Sequence, residues 1–182
     1  AHTLTHGRRW HHEISSKGAI GLAHANRLAL EEDLSQPLLL LEDDCYVTKP
    51  ARFKQEVNAL LRHADKFDMA AFGVFVTNKA KGEIANWHPP NFCFMVDKFW
   101  LLHAVLYPPR GRAKISSILY QPLEMQIDSL YGAEAKQGNL VVLGQYKDHS
   151  ARQTQHISGV QKRGIMELNE IFLHICIPVA AI

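Results

Sequence analysis

The sequence lacks the features that would assign it to a function class at once. Its charge is nearly balanced, with 20 Lys and Arg residues against 18 Asp and Glu residues, so no basic excess indicates a nucleic-acid partner. No uninterrupted apolar segment approaches the roughly 20 residues that a membrane-spanning helix needs. No internal repeat, low-complexity tract or linker is present either. The 182 residues are therefore predicted to form one domain, in which residues 1–16 are poorly structured.

Cysteine is scarce, and histidine is scattered rather than clustered. Cys45, Cys93 and Cys176 are odd in number and widely spaced, without the pairing of a metal site. This favours a chain with reduced thiols and leaves a disulfide open. The eleven histidines include the neighbours His11 and His12. Because adjacent side chains diverge on a helix or a strand, a metal role is not favoured for that pair.

A short apolar run followed by acids is the most informative stretch. Residues 38–41 are four leucines after the turn signal 35–37, which is typical of a strand buried on both faces. Glu42, Asp43 and Asp44 follow at the edge where open α/β sheets bind ligands. Crowded carboxylates raise one another's pKa unless a cation is present, so the triplet is a candidate Mg²⁺ or Mn²⁺ site for a phosphorylated substrate. The alternative is that the chain simply emerges into solvent here.

The surrounding pattern alternates between helices and strands. Further apolar runs predict strands at 69–75, 91–96 and 140–143, and a packed terminal strand within 171–182. Helices are predicted from the caps Ser15 and Ser16 to Leu30, from Lys49 and Pro50 onward, and over residues 98–106. This rhythm predicts an α/β fold with a mostly parallel central sheet flanked by helices.

Two glycines on the first predicted helix suggest a close approach. Gly18 and Gly21 lie three residues apart, at a helix-propensity cost of about 1 kcal/mol each. Small residues at this spacing let a helix approach a backbone or a ligand closely. We therefore regard both as candidate cofactor-binding residues.

Asp128 is the second polar locus. Leu130 and Tyr131 follow it with Ile127 at helical spacing, so Asp128 opens or flanks a predicted helix. A capping role is one interpretation. The other is a chemical role at the same sheet edge as Asp44.

These segments together resemble glycosyltransferase family 25, the lipooligosaccharide and collagen galactosyltransferase group. That family carries a Gly-Glu-[Ile/Val]-Gly-Cys-x-x-Ser-His helix, then an apolar strand ending in Leu-Glu-Asp-Asp, and later a Val-Asp segment before a short helix. The matching stretches here are residues 18–26, 40–44 and 126–128, which read Gly-Ala-Ile-Gly-Leu-Ala-His-Ala-Asn, Leu-Leu-Glu-Asp-Asp and Gln-Ile-Asp. The resemblance spans about residues 17–150.

The resemblance implies a GT-A type fold and an inverting transfer of galactose or glucose from a UDP-sugar to a hydroxyl of a glycan or protein acceptor. On that basis the acidic triplet replaces the Asp-x-Asp motif of such enzymes. Asp44 would lie nearest Mn²⁺ or Mg²⁺, with Glu42 and Asp43 toward the ribose or the water shell of the metal. His149 or His156 is a candidate late metal ligand. Asp128 becomes the candidate general base that takes the proton of the acceptor hydroxyl.

The chain also departs from the family pattern. Ala19, Leu22, Ala25 and Asn26 stand where the family helix has Glu, Cys, Ser and His. The strand and arginine-bearing loop that cradle the nucleotide in the family are expected to be missing. A non-catalytic nucleotide-sugar or carbohydrate-binding protein is therefore one alternative, and a metal-dependent phosphate-ester hydrolase is another. A cytoplasmic or membrane-peripheral location is expected.

Overall fold

A computed structural model of the chain describes residues 17–83, 87–122, 124–153 and the backbone of 175–178. Predictions for residues 1–16 and for His156 lie outside these residues. The described elements are α1 (Lys17–Glu31), β1 (Leu38–Leu41), β2 (Cys45–Val47), α2 (Pro50–Leu61), β3 (Met69–Ala71), β4 (Phe75–Val76), β5 (Phe92–Met95), β6 (Phe99–Trp100), β7 (Ala104–Tyr107), α3 (Pro109–Leu119), α4 (Ile127–Lys136), β8 (Val142–Gln145), β9 (Ala151–Gln153) and β10 (Ile175–Pro178). None of the helices in this part of the chain is long and apolar enough to cross a membrane.

The central sheet has six strands in the order β10-β1-β7-β3-β8-β5. Only the β3–β8 pair is parallel, and the pairs β1–β10, β1–β7, β3–β7 and β5–β8 are antiparallel. The prediction of a mixed helix and strand fold is confirmed, but the prediction of a mostly parallel, GT-A-like sheet is wrong. The helical connection through α2 does leave β1 and β3 pointing the same way. The antiparallel strand β7 is inserted between them, which the sequence pattern did not indicate.

The error lies in the segment 98–106, which was predicted to be a helix. It contains β6 and the start of β7, and the true helix α3 begins only at Pro109. All four residues of β7 are buried. The apolar residues of this segment therefore show neither the two-residue period of a half-buried strand nor the 3.6-residue period of a helix. Pro109 does not end a helix; it occupies the first turn of α3, where its missing N–H costs nothing.

Both faces of the sheet are covered, because side chains alternate along each strand. On β1, Leu38 and Leu40 pack with α1, α3 and α4, whereas Leu39 packs on the other side with residues of α2 such as Phe53 and Val57. The predicted burial of β1 on both faces is therefore confirmed.

The strands β1, β3 and β8 end at one edge of the sheet. Leu41 pairs with Ala104 at the start of β7, and Ala71 pairs with both Val105 and Gly144. The acids 42–44 therefore emerge beside the segments that follow β3 and β8. We call this side of the sheet the acidic edge.

Buried ionic contacts hold the opposite edge together. Asp68 is fully buried and accepts hydrogen bonds from Arg110 Nε at 2.9 Å, Lys114 Nζ at 2.9 Å and the Val141 backbone N–H at 2.8 Å. Arg112 donates to backbone carbonyl oxygens at the end of α1 and beyond it: those of Ala29, Leu30, Asp33 and Gln36. These contacts anchor the N-terminal part of α3.

Candidate functional site

The acids 42–44 form a tight turn that is fastened on both sides. The Glu42 backbone N–H donates to the carbonyl oxygen of His103 at 2.9 Å, and the Cys45 N–H donates back to Glu42 O at 3.0 Å. Asp44 Oδ2 accepts a hydrogen bond from Gln153 Nε2 at 2.7 Å. Asp43 is exposed, whereas Glu42 and Asp44 are half-buried. The turn is therefore a fixed part of the sheet edge and does not simply lead into solvent.

Glu42 is the most perturbed carboxyl group of the turn. Burial is the largest cause that raises its pKa to about 7, followed by the charges of Asp44, Asp43 and Asp128 in that order. The expectation that crowded carboxylates raise one another's pKa is confirmed for Glu42, although burial is the larger cause. A group with this pKa is partly protonated near neutral pH. It can then act as a hydrogen-bond donor as well as an acceptor.

Asp128 is the second residue of α4, and its carboxylate faces the same region. Its Oδ1 accepts a hydrogen bond from the Ser129 backbone N–H at 2.7 Å. Gln126, not Asp128, occupies the N-cap position, and it makes no side-chain capping bond. Asp128 is half-buried, and burial raises its pKa. The backbone and the side chain of Ser129 both donate to its carboxylate, which fixes the orientation of this group at the start of α4.

The position of α4 is fixed by close packing. A Cβ atom added to Gly132 would lie 3.2 Å from both the Asp97 carbonyl oxygen and the Lys98 Cα. The helix therefore approaches the β5–β6 connection as closely as a backbone allows. Because Asp128 lies one turn before Gly132, this contact holds its carboxylate beside the acidic turn. Asp128 lies near enough to Glu42 for its charge to raise the pKa of that carboxyl, as the smallest of the contributions, although the two residues are remote in sequence.

The donor chemistry of the acidic turn fits a hard divalent cation. Several carboxylates lie close enough to raise the pKa of Glu42 by their charge, and a cation would relieve that repulsion. Within the described residues, no three His, Cys, Asp or Glu side chains are placed to hold a metal ion. A Mg²⁺-like ion is commonly held by only one or two carboxylates, water and substrate phosphates. Asp44 and Asp43 could supply such a partial ligand set.

His149 is not brought to the acidic turn. In the β2–β9 ribbon, Cys45 pairs with Gln153 and Val47 with Ala151, which places His149 at the far end of the ribbon from Asp44, about 13 Å of extended chain away. Its pKa is lowered, chiefly by burial, and its neighbouring charges are those of Arg152, Asp148 and Lys49. The structure does not join His149 to Asp44.

His149 lies instead beside His103. Burial is the largest cause that lowers the pKa of His103 to about 4; a hydrogen bond with the Ala151 backbone opposes this shift, and the charge of His149 adds to it. Because the pKa of each ring is lowered, both rings are neutral at physiological pH. His103 and Ala151 are both fully buried.

Of the two candidate glycines of α1, Gly21 makes no close approach to the described part of the chain. Gly21 is exposed, and a Cβ added there would meet no atom of the described residues within 4 Å. Gly18 lies in the first turn of the helix and is half-buried. Ala19, Ala23 and Asn26 form the buried side of the same helix. The close approach predicted from the glycine spacing is therefore not seen at Gly21.

A buried network positions the loop between β8 and β9. Glu56 accepts hydrogen bonds on Oε2 from Gln145 Nε2 at 2.8 Å and from Ser150 Oγ at 2.6 Å, and on Oε1 from Arg52 Nε at 2.7 Å. Arg52 also contacts Asp148. This network ties the acidic edge to α2, and Gln153 follows directly after it in β9. Sequence analysis missed Gln153 and Glu56, because neither belongs to a recognisable motif.

The most evident concave surface lies elsewhere. A cavity of about 290 Å³ opens between α3 and α4, lined by Ser117, Ile118, Gln121, Pro122, Leu130 and Glu134. This cavity is lined neither by the acids 42–44 nor by Asp128. We base the candidate site on the carboxylates, because Glu134 is the single titratable group that lines the cavity.

No protein-family model, curated protein or solved structure matches this chain. The resemblance to glycosyltransferase family 25 therefore stays a prediction.

Proposed function

We propose that this chain is a glycosyltransferase that moves a hexose, galactose or glucose, from a UDP-sugar to a hydroxyl of a glycan or protein acceptor, with inversion. The observation that supports it most is the fixed turn of acids 42–44 at the end of β1, where Asp44 is held by Gln153 and the charge of Asp128 on α4 contributes to the raised pKa of Glu42. These acids come from two separate elements, β1 and α4. A transfer reaction needs such a division, because one group must assist the leaving diphosphate and another must activate the acceptor.

Asp128 is proposed as the general base. Burial raises the pKa of its carboxyl, which makes the ionised form a stronger base than an ordinary aspartate. The Ser129 N–H holds Oδ1 at 2.7 Å, so the carboxylate has a fixed orientation. In an inverting transfer the base takes the proton of the acceptor hydroxyl on the face opposite the leaving group. A base on α4 suits this geometry if the diphosphate lies over the acidic turn.

Asp44 and Asp43 are proposed to hold Mn²⁺ or Mg²⁺ together with the diphosphate. When bound, the ion would supply electrostatic stabilisation of the departing nucleoside diphosphate. Gln153 keeps Asp44 oriented through the 2.7 Å hydrogen bond to Oδ2. Glu42 is proposed to contact the ribose hydroxyls, since a carboxyl group with a pKa of about 7 both donates and accepts hydrogen bonds at neutral pH.

A non-catalytic nucleotide-sugar or carbohydrate-binding protein is the second candidate. The observation that favours it is at Asn26, which stands where the family helix has a histidine. Asn26 is buried, and its amide donates to the Leu22 carbonyl oxygen at 3.0 Å. A side chain used in this way supports the helix and does not reach a substrate.

One experiment separates the candidates. The protein is incubated with Mn²⁺ and a panel of UDP-, GDP- and CMP-sugars, with and without simple glycoside acceptors. Acceptor-dependent release of the donor's whole nucleotide (UDP, GDP or CMP), together with a glycosylated product, supports transfer. Donor binding without release supports the binding protein. Acceptor-independent cleavage of a UDP- or GDP-sugar to a nucleoside monophosphate and a sugar 1-phosphate supports the hydrolase, and absence of binding to every donor would refute the proposal.

A further inference from the structure

An exposed and a half-buried aromatic ring lie side by side at the acidic edge. The strands β4 and β6 form a small antiparallel ribbon in which Phe75 pairs directly with Trp100. The two ring centroids are 5.8 Å apart, and the planes are tilted by 42°. Phe75 is 62% exposed, and Trp100 is half-buried. We call these two residues the aromatic pair.

The opposite side of the ribbon explains why these rings face outward. Val76 pairs with Phe99, which is fully buried in the core cluster that includes Ile127 and Tyr131 of α4. Because side chains alternate along a strand, the residues next to Val76 and Phe99 must point away from that cluster. The core thus fixes the ribbon and presents the aromatic pair to solvent.

The backbone beside the pair is strained. Leu101 has a φ of 75°, a left-handed conformation that a bulky residue rarely adopts. Such outliers persist only where the surrounding structure enforces them, and they are concentrated at binding and active sites. Here the conformation of Leu101 turns the chain from β6 toward His103 and the start of β7.

The pair and the acidic turn belong to the same edge of the sheet. Two residues, Leu101 and Leu102, separate Trp100 from His103, so the Cα atoms of Trp100 and His103 are at most about 11 Å apart. The carbonyl oxygen of His103 accepts the Glu42 N–H at 2.9 Å. The other strand of the ribbon, β4, is connected to β3 through Phe72. The Phe72 N–H donates to Ala104 O at 2.9 Å, so both strands of the ribbon connect to the sheet at the acidic edge.

We propose that the aromatic pair binds a pyranose ring of the acceptor glycan, which deepens the proposed transferase function and rests on it. One face of a pyranose consists of C–H groups, whose partial positive charge suits the negative face of an aromatic ring. The hydroxyl groups of the pyranose donate hydrogen bonds, which carboxylate oxygens accept. An aromatic platform beside carboxylates matches both sides of such a ligand.

The size of the patch argues against a protein partner. The two rings expose on the order of 200 Å² together, given the area that aromatic side chains bring to a contact. A stable interface between proteins needs about 800 Å² from each partner. A single sugar ring covers an area of the smaller size. The pair therefore has the dimensions of a small-ligand contact and not of a dimer interface.

The test uses the full chain and methyl β-D-galactopyranoside and lactose as probes. Saturation-transfer NMR and calorimetry measure glycoside binding in the wild type, in Phe75→Ala and in Trp100→Phe. Tyr120→Ala is the control, because Tyr120 is equally exposed, at 61%, and lies against Arg27 of α1. We expect Phe75→Ala to weaken binding roughly tenfold, which corresponds to about 1.4 kcal/mol, and Tyr120→Ala to leave it unchanged. Thermal unfolding of each variant confirms that the fold is kept.

The outcomes separate this inference from the function on which it rests. Glycoside binding that depends on Phe75, without any nucleotide release, keeps the platform and refutes the transferase. Two results would refute sugar binding by the aromatic pair and still support the transferase. One is turnover in which the KM for the acceptor is unchanged in Phe75→Ala. The other is wild-type turnover without detectable glycoside binding. A concentration-dependent dimer that Phe75→Ala abolishes would assign the pair to an interface between copies and overturn the inference.

Discussion

Gln153 Nε2 donates a 2.7 Å hydrogen bond to Asp44 Oδ2, which joins the last described residue of β9 to the end of the acidic turn. The bond holds one oxygen of a carboxylate that is surrounded by other acids. A charged Asp44 is stabilised by this donor, whereas Glu42 has no such bond in the described residues and is the group whose pKa rises to about 7. The turn therefore contains one carboxylate held by a side-chain donor and one whose pKa is raised to about 7.

Asp44→Ala should abolish Mn²⁺-dependent donor binding. The substitution removes the proposed metal ligand but no buried apolar contact, so the fold should be kept. Calorimetry with UDP-galactose and UDP-glucose, with and without Mn²⁺, measures the effect. Glu32→Ala removes an exposed acid beyond α1 and is the matched control. If Asp44→Ala still binds the donor with the metal-dependent affinity of the wild type, Asp44 is not a ligand.

Glu42 should make the protein less stable as pH rises through neutrality. Its folded pKa of about 7 exceeds the ordinary value of 4.5, so the folded state binds more protons than the unfolded state between these values. The free energy of unfolding contributed by Glu42 therefore falls as pH rises from about 4.5 to 7, by about 1–3 kcal/mol. Glu42→Gln should remove this loss.

The measurement is urea unfolding at pH 5 and pH 8 for the wild type and Glu42→Gln. Only the difference between the two proteins is compared, because the lowered pKa of His103 acts in the opposite direction at acid pH. The variant should gain stability relative to the wild type at pH 8. A difference between the two proteins that stays constant across this range would mean that Glu42 titrates normally.

Two helical glycines should respond oppositely to alanine. A Cβ at Gly111 would lie 1.6 Å from the Asp68 carbonyl oxygen, so Gly111→Ala must displace α3 and should cost several kcal/mol, more than about 3. A Cβ at the exposed Gly21 meets nothing within 4 Å. Gly21→Ala should therefore stabilise the protein by about 0.5–1 kcal/mol. Thermal unfolding of both variants measures these changes in stability. A destabilised Gly21→Ala would reveal a contact of α1 with residues beyond those described.

The sequence pattern predicted the elements whose signals are local. The leucines of β1, the proline at the start of α2 and the caps near α1 each carry their own information, and these elements lie close to the predicted positions. The relative directions of the strands in the sheet were not predictable in this way. It depends on β7, whose residues are buried on both faces, so that the run from Leu101 to Tyr107 has no period that distinguishes a strand from a helix.

The site was predictable only in part. The acids 42–44 and Asp128 are recognisable because charges stand next to apolar runs, and the charge of Asp128 contributes to the raised pKa of Glu42. The contact of Gln153 with Asp44 is a tertiary pairing of two strands that no local pattern encodes. The separation of His149 from Asp44 follows from the register of the same ribbon, which sequence alone does not fix.

The most direct test of the proposed transferase is Asp128→Asn, measured by UDP-sugar binding with Mn²⁺ and by the acceptor-dependent release of UDP. Asp97→Asn is the matched control, because Asp97 also packs against α4 and forms only an exposed ion pair with Lys136 at 3.3 Å. We expect Asp128→Asn to bind the donor within about twofold of the wild type and to lower kcat by at least about 100-fold, the usual contribution of a general base. Turnover that is unchanged in Asp128→Asn would contradict the account.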